Sequence, residues 1–581
     1  MELNSENVAR LLYPVAAFES PPTISVDASY KAGIAQLKPK NLTHTTTWEA
    51  SILNPKNRID SLAWPSNAKW RVDGSTGMGT QFYTVPIFLR HPIPMRIDTF
   101  IPERKEIPPT LQAVLDIGSA FYTRDVRVAQ LGIARYIVRV LDRWSGQISD
   151  FAAFYTNLPF GSRIVFHNIE ADIRSVRIQI LHTHFLERQL LSVGSLQAMW
   201  KLPSDSWPAV TDISKVTLVQ QLHDSVSLVK YAGQTRIMKS LTSSPKYLYH
   251  ELRVLLTMSP HPNIISKPSH LIVKQCNFGS KIAVVGFILD YHSGGTLRDV
   301  LPLRRTLGTH SLRLQDQVVW STQLTEALIH IRDEGVMYCD LRLDNIVLGS
   351  KSDRIVMIDF EGRGVGTFMS APEITFIEHI HSLARESEEN VGQVELNRYK
   401  RLRDGYMRGC SMPTPTEMYR NPRHGYCVSW LCLSEKEREA AQVYMLGKVL
   451  WGIFEGVGSP EKGVMVEHLR EDALEYPEWR NAPEIIRELV NACCSCGRRY
   501  EKFPLVRKGQ LLCMRNTDAT ETAEQVRAAA IGWWKAEVHE AEEFLKQRTA
   551  DASRVEHVFS ARPRLEDVLF VLRSFNKSIG V

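Results

Sequence analysis

The sequence predicts an α+β fold in two units, and three observations carry that expectation. The first is alternation. Ile346-Val347-Leu348 and Ile355-Val356-Met357-Ile358 read as two strands joined by the turn Gly349-Ser350-Lys351-Ser352-Asp353, and Gln234 to Leu241 alternates as a further strand. The second is helical period: Tyr247 to Leu256 is apolar at three- and four-residue spacing and stops near Ser259-Pro260. The third is length, because 581 residues exceed one domain and leave about 200 residues ahead of a unit of about 260–300.

The N-terminal unit is placed at residues 1–211. Trp48, Trp64, Trp70, Trp144, Trp200 and Trp207 supply enough large apolar surface for a core of its own. Ile133, Ile137, Val140 and Trp144 share one helical face, which reads as core packing, while Ile164-Val165-Phe166 and Val176 to Ile180 alternate as strands. The region is mixed α and β, carries no repeat, metal cluster or catalytic motif, and is expected to serve location or a protein partner.

Downstream, the chemistry lies in three residues. Asp340 and Asn345 are close enough for one short loop to aim both side chains into a single cleft, and the hairpin that follows returns Asp359 to its mouth. Two carboxylates and an amide can then meet around a magnesium ion, an ion that takes few carboxylates and completes its shell with phosphate oxygens and water.

Residues 338–348, Tyr-Cys-Asp-Leu-Arg-Leu-Asp-Asn-Ile-Val-Leu, together with Ile358-Asp359-Phe360-Glu361-Gly362, resemble the catalytic centre of the protein kinase superfamily. The resemblance extends in family order over residues 212–575. Lys239 stands where the family binds the α and β phosphates, and Glu251 where it braces that lysine. His261-Pro262-Asn263-Ile264-Ile265 is similar to the turn after the helix, and Gly286 to Leu297 to the hinge, where Asp290, Tyr291 and His292 would receive adenine. Ala371-Pro372-Glu373 is similar to the end of an activation segment, and Ala561-Arg562-Pro563 to the arginine that pairs with its glutamate. The resemblance implies a small lobe at 212–289, a hinge at 290–295 and a large lobe at 296–575, with inserts at about 374–435 and 497–558. It implies ATP and Mg2+ as cofactors and transfer of the γ-phosphate to Ser or Thr of a protein substrate. Asp340 would orient the acceptor hydroxyl, Arg342 steady the moving phosphate, and Asn345 with Asp359 hold the metal. The Asp-Phe-Glu-Gly-Arg-Gly run and the long insert after Ala-Pro-Glu further resemble divergent kinase-like proteins of filamentous fungi.

Several positions depart from the family. Val216 to Ser227 contains no glycine where a phosphate-cradling loop belongs, although Ser225 and Ser227 offer hydroxyl donors. Tyr338-Cys339 replaces the usual His-Arg, so a phosphate on the activation segment has no receiver, and Asp359 to Glu373 is short. Glu361 adds a carboxylate that either helps bind cation or repels ATP. Gln442 stands where an aspartate braces the catalytic loop, a task its carbonyl performs more weakly. These departures leave a pseudokinase, a non-catalytic binding scaffold, as the alternative. A small-molecule phosphotransferase is a third reading, opposed by Ala371-Pro372-Glu373 with Arg562.

Composition narrows the rest. Formal net charge is +6, from 70 basic and 64 acidic residues, too mild to call for a nucleic-acid partner. No apolar run reaches the roughly 18 residues of a membrane span, and Met1 to Ser20 lacks a basic start, so an intracellular protein, cytoplasmic or nuclear, is expected. Nine scattered cysteines argue for free thiols. Cys493, Cys494, Cys496 and Cys513 lack the paired arms of a zinc site and read as buried thiols. In the first insert Arg398, Lys400, Arg401, Arg403 and Arg408, with Tyr399 and Tyr406, read as a solvated charged face. In the second, Asp518 and Glu521 read as a helix cap, and Ala528 to Leu545, with Trp533 and Trp534, as a helix packed on the lobe.

Overall fold

The computed structural model describes Leu11, residues 69–76, 81–90, 96–99 and 133–159, and most of 162–580, leaving out among longer segments 308–311, 364–367, 411–418, 421–424, 461–473, 497–501 and 551–561. The chain is mixed α and β. Its first part holds β1 (Trp70–Thr76), β2 (Gln81–Pro86), β3 (Arg96–Thr99), α1 (Ile133–Ser145), α2 (Phe151–Thr156), β4 (Arg163–Phe166) and β5 (Ile178–Leu181). The five strands form one sheet in chain order, antiparallel except where β3 runs parallel to β4. Trp70 is fully buried against Trp144, Phe151 and Tyr155 with ring centroids 5.5–6.5 Å apart, so the helical stripe ending at Trp144 packs as core. Trp48 and Trp64 lie outside the described residues.

Two helices follow, α3 (His184–Gln189) and α4 (Val193–Trp200), then β6 (Ala209–Asp212), β7 (Thr217–His223), β8 (Val226–Tyr231), β9 (Gln234–Ser240), α5 (Pro245–Thr257), β10 (His270–Gln275) and β11 (Ile282–Asp290). These strands make a six-stranded sheet, ordered β6-β10-β11-β9-β8-β7 and antiparallel except for β6 on β10. Its outermost strand β6 spans the position where the N-terminal unit was expected to end. Helix α5 begins at Pro245, whose fixed φ suits a first turn. Both its faces are buried, because residues from the first part and from the later insert cover the side turned away from the sheet.

The remainder is largely helical: α6 (Leu297–Leu307), α7 (Leu314–Asp333), the hairpin β12 (Ile346–Leu348) and β13 (Ile355–Met357), α8 (Pro372–Leu383), α9 (Glu388–Val391), α10 (Gln393–Tyr406), α11 (Val428–Cys432), α12 (Glu435–Glu455), α13 (Glu484–Cys493), a second hairpin β14 (Leu505–Lys508) and β15 (Leu511–Met514), α14 (Ala523–Ala550) and α15 (Leu565–Ser578). Helix α12 is the hub. A Ser434/Glu437 capping box starts it, Gly456 at φ 68° ends it, and most of its 21 residues are buried. Trp534 is buried and its indole donates to Leu11 O at 2.6 Å, while Trp533 is half-buried and packs on Phe503. The cap expected at Asp518 lies outside the described residues.

Within the hub, Gln442 departs from expectation. It is fully buried, and neither Oε1 nor Nε2 finds a hydrogen-bond partner among the described residues, so it does not brace the catalytic loop. A buried polar group without a partner costs about 1–3 kcal/mol. Gln442→Met, of similar length and without the amide, is expected to raise unfolding stability by about 1–2 kcal/mol in urea titrations. No helix among the described residues is long and apolar enough to cross a membrane.

Candidate active site

The site is assembled by three local structures. The turn after α5 pins the hairpin: Asn263 Nδ2 donates to Ile355 O at 2.9 Å, Met357 N to Asn263 O at 2.8 Å, and Ile265 N to Met357 O at 3.0 Å. The hairpin then carries the chain from Asn345 to Asp359, with Ile346 opposite Met357. Strand β9 brings in Lys239, which pairs across the sheet with Phe287 and Val226.

Lys239 is buried and its ammonium meets three carboxylates: Asp359 Oδ1 at 2.8 Å, Glu361 Oε1 at 2.8 Å and Glu251 Oε2 at 3.4 Å. Burial alone would lower the lysine, but Asp359, Glu251 and Glu361 outweigh it and hold the ammonium charged. Burial also works to raise Asp359, and the neighbouring ammonium reverses that and keeps its carboxylate low. Glu251 is pushed up, by burial first, against the pull of Lys239. Its other oxygen accepts from Phe360 N at 3.1 Å, which ties α5 to the backbone just after Asp359. The expected pairing of Lys239 and Glu251 is thus part of a larger cluster, and Glu361, which also pairs with Arg363, is its third anion.

Asp340 and Asn345 come together as their spacing anticipates. Asn345 Nδ2 donates to Asp340 O at 2.9 Å and to Asp340 Oδ2 at 3.0 Å, and Ile358 N donates to Asn345 O at 3.0 Å. Burial pushes the Asp340 carboxyl up to about 6, opposed by Arg342 and the Asn345 bond and assisted by Asp359. Asp359 sits at φ 67°, a left-handed conformation costly for a side chain with a Cβ and characteristic of sites that impose it. Tyr338 helps impose it, because its hydroxyl donates to Ile358 O and its ring meets Phe360 edge-on at 5.0 Å. Arg342 pairs with Asp344 at 3.3 Å, and Arg298 takes the other oxygen of Asp344 at 3.1 Å.

Glu251, Asp359 and Glu361 bring carboxylate oxygens within 4.8 Å of one another, a group that could hold a small oxygen-seeking cation. With its amide nitrogen committed to Asp340, Asn345 keeps Oδ1 as an acceptor. Asp359 has one oxygen on Lys239, and the other makes no hydrogen bond among the described residues.

Farther along the same β9–β11 pairing, β11 leads into Asp290, Tyr291 and His292. Asp290 lies three positions beyond Phe287, the cross-strand partner of Lys239, and so about 10 Å from that pairing along the strand. The Asp290 carboxylate is taken by Arg236 and by Ser266 Oγ at 2.7 Å. Burial lowers the His292 imidazole.

The phosphate-side hairpin corrects one expectation. Ser227 is buried and donates to Gln221 Oε1 at 2.9 Å, and Ser225 is buried beside His223, so these hydroxyls are turned inward. Two irregularities interrupt the β7–β8 register on either side of Gln221, whose side chain is buried and bonded to Ser227 and His223 O.

Sequence reasoning missed what holds this hairpin and α5. Arg71 Nη2 donates to Val219 O at 2.7 Å, Gln221 N donates to Asp73 Oδ2 at 2.7 Å, and Tyr83 packs on His223, so the five-stranded sheet lies along β7. Tyr249 of α5 accepts from Leu191 N at 2.8 Å and donates to Val284 O at 2.9 Å, and its ring meets Tyr419 at 5.4 Å. From the other side, Tyr426 N donates to Gly362 O at 3.2 Å. Gly362 and Gly425 both have positive φ and interlock so closely that a Cβ on Gly425 would meet Gly362 O at 2.6 Å. Helix α5, and with it Glu251, is therefore held by the N-terminal part and by the first insert together.

No protein-family model matches the chain. Over 80 residues, 13% of its length, it is 35% identical to a protein of Dictyostelium discoideum described as a probable serine/threonine-protein kinase, and the match spans 6% of that protein.

Proposed function

We propose that the chain is a divergent protein kinase that transfers the γ-phosphate of ATP to Ser or Thr of a protein substrate. The observation that carries this reading is the convergence on one cleft of Lys239, Glu251 and Asp359 from three separate elements, beside the hydrogen-bonded pair Asp340 and Asn345. In this reading the six-stranded sheet and α5 form the small lobe, residues 290–295 the hinge, and the helical remainder the large lobe, with residues 1–211 as an added N-terminal unit. The Dictyostelium similarity adds partial support.

Lys239 would exchange one carboxylate contact for the nucleotide phosphates, with Glu251 keeping it in place. Asp340 orients the acceptor hydroxyl and takes its proton, and Arg342 faces the charge that develops on the moving phosphoryl group. Magnesium, held by Asn345 and Asp359, would offset charge on the phosphate oxygens. Backbone groups of Asp290, Tyr291 and His292 would meet the adenine. The segment from Ala371 to Glu373, tied to Arg562, supports a peptide acceptor over a small molecule.

A second reading, a non-catalytic scaffold, is favoured by one observation, the β7–β8 hairpin filled by Gln221 and Ser227. Incorporation of labelled phosphate from ATP and magnesium, into the chain or a mixed protein substrate, separates the two. Incorporation in wild type that disappears in Asp359→Asn is the expected result. No incorporation, with no thermal shift on adding ATP and magnesium, would overturn the kinase reading in favour of the scaffold.

A further inference from the structure

A cavity apart from the candidate active site lies at the end of α8. Helix α8 leaves the Ala371-Pro372-Glu373 segment and runs to Leu383, where it meets the end of α10. Between them His381, Arg385, Arg403, Asp404 and Met407 line an open cavity of about 630 Å³.

Three basic side chains converge here against one carboxylate. Arg385 stands past the end of α8, exposed, and its guanidinium makes no ion pair among the described residues. Arg403 places Nε and Nη2 on the same oxygen of Asp404, at 3.0 and 2.8 Å, which leaves Nη1 without a partner among the described residues. His381 Nδ1 is buried and also lacks one. A cation in the last turn offsets the negative end of a helix, which accounts for His381 and Arg403 singly but not for Arg385 added to both. The resulting field is felt by neighbours. Burial, then Arg385 and Arg403, depress the His381 imidazole to about 4, and Arg385 adds to the burial that lowers Lys246 on α5.

We infer that this cavity receives a phosphorylated side chain of a protein partner. Two guanidinium groups and an imidazole offer more donors than one carboxylate accepts, and the planar forks of arginine match phosphate oxygens in pairs. Among the described lining residues Met407 is the one apolar side chain, and a protein segment brings adjoining contacts of its own. Helix α8 has 12 residues, so a partner docked at its end lies about 18 Å from the segment expected to present the acceptor. Docking of this kind adds effective concentration without altering the transfer chemistry.

The test is made on the full chain without ATP, so it stands or fails apart from phosphate transfer. Inorganic phosphate is titrated while the His381 ring is followed by NMR with labelled histidine. A pool of phosphoserine peptides is compared with its unphosphorylated and glutamate-substituted counterparts by fluorescence anisotropy. The expected result is a rise of one unit or more in the His381 pKa, phosphopeptide binding at least tenfold tighter than either counterpart, and a tenfold or greater loss in Arg385→Ala and Arg403→Ala with unchanged melting temperature. A His381 pKa unmoved by phosphate, or phosphopeptide binding unchanged in both variants, overturns the site. A response to inorganic phosphate with no preference for phosphopeptides overturns the protein partner. Equal binding of the glutamate pool overturns the requirement for phosphate.

Discussion

Asp340→Asn is expected to cut phosphate transfer by roughly 10²–10⁴-fold, the usual span for a positioned general base, while ATP affinity stays within about twofold. The substitution keeps the shape of the loop. Asn345 Nδ2 still reaches Asp340 O at 2.9 Å, and the new amide oxygen can replace the carboxylate oxygen now at 3.0 Å. What it removes is a group able to accept a proton from an attacking hydroxyl. The pH profile gives an independent check. With the carboxyl raised to about 6 by burial and by Asp359, against Arg342 and Asn345, kcat/KM of the wild type should climb with pH up to about 6 and level off above it. The protonated acid cannot act as base, so the limb falls on the acid side. Stability runs the other way. A carboxyl whose folded pKa is raised binds more protons in the folded than in the unfolded state, so its ionisation lowers stability as pH rises from its ordinary value through about 6. Asp340→Asn should then be no less stable than wild type at neutral pH, and a variant that loses activity by unfolding would show itself in the melt. Full activity in Asp340→Asn would remove Asp340 from the reaction.

What the sequence made legible is what short-range pattern encodes. The β12–β13 hairpin follows from two alternating apolar runs, α5 from its period and its start at Pro245, and the meeting of Asp340, Asn345 and Asp359 from the geometry of a loop followed by a hairpin. Lys239 and Glu251 were legible only through resemblance, since the strand and helix that carry them come together by packing. The contacts that hold the site in place were not legible. Tyr249 bonds to Leu191 across 58 positions, and Arg71 to Val219 across 148. Nothing local marks either tyrosine or arginine as more than a surface group. Ser225 and Ser227 were misplaced for a related reason: register irregularities in β7–β8 turn them inward, and such bulges leave no trace in composition. Glu361 was visible as an anomaly, and the structure places it on Lys239 and, with Glu251 and Asp359, in a group of carboxylates that could hold a cation. Gln442 shows the opposite failure, because a residue expected to make hydrogen bonds finds no partner among the described residues.

Arg562→Ala is expected to lower unfolding stability by about 3–5 kcal/mol, the cost of leaving a buried charge unpaired. Arg562 and Glu373 are both buried and joined in parallel, Nη1 to Oε1 at 2.6 Å and Nη2 to Oε2 at 3.1 Å. The guanidinium also donates to Ser495 O at 2.7 Å and Ala440 O at 3.0 Å and lies over the Tyr444 ring at 5.0 Å. It thereby joins α8, α12, α13 and the start of α15, four elements far apart in sequence. Burial alone would lower the guanidinium pKa, and Glu373 more than reverses that, so the pair is ionised and each charge depends on the other. Removing the arginine leaves the Glu373 carboxylate, two orphaned backbone acceptors and a cavity. Removing both charges with Arg562→Met and Glu373→Leu should cost less than Arg562→Ala alone, because no uncompensated ion remains. Urea titrations of the wild type, the single and the double variant decide it. A single variant within 1 kcal/mol of wild type, or a double variant worse than the single, would show that the pair does not hold the segment. If it does, Arg562→Ala should also slow transfer to a protein substrate more than it weakens ATP binding, since the loosened segment is the one that follows Asp359 and not the one that carries Lys239.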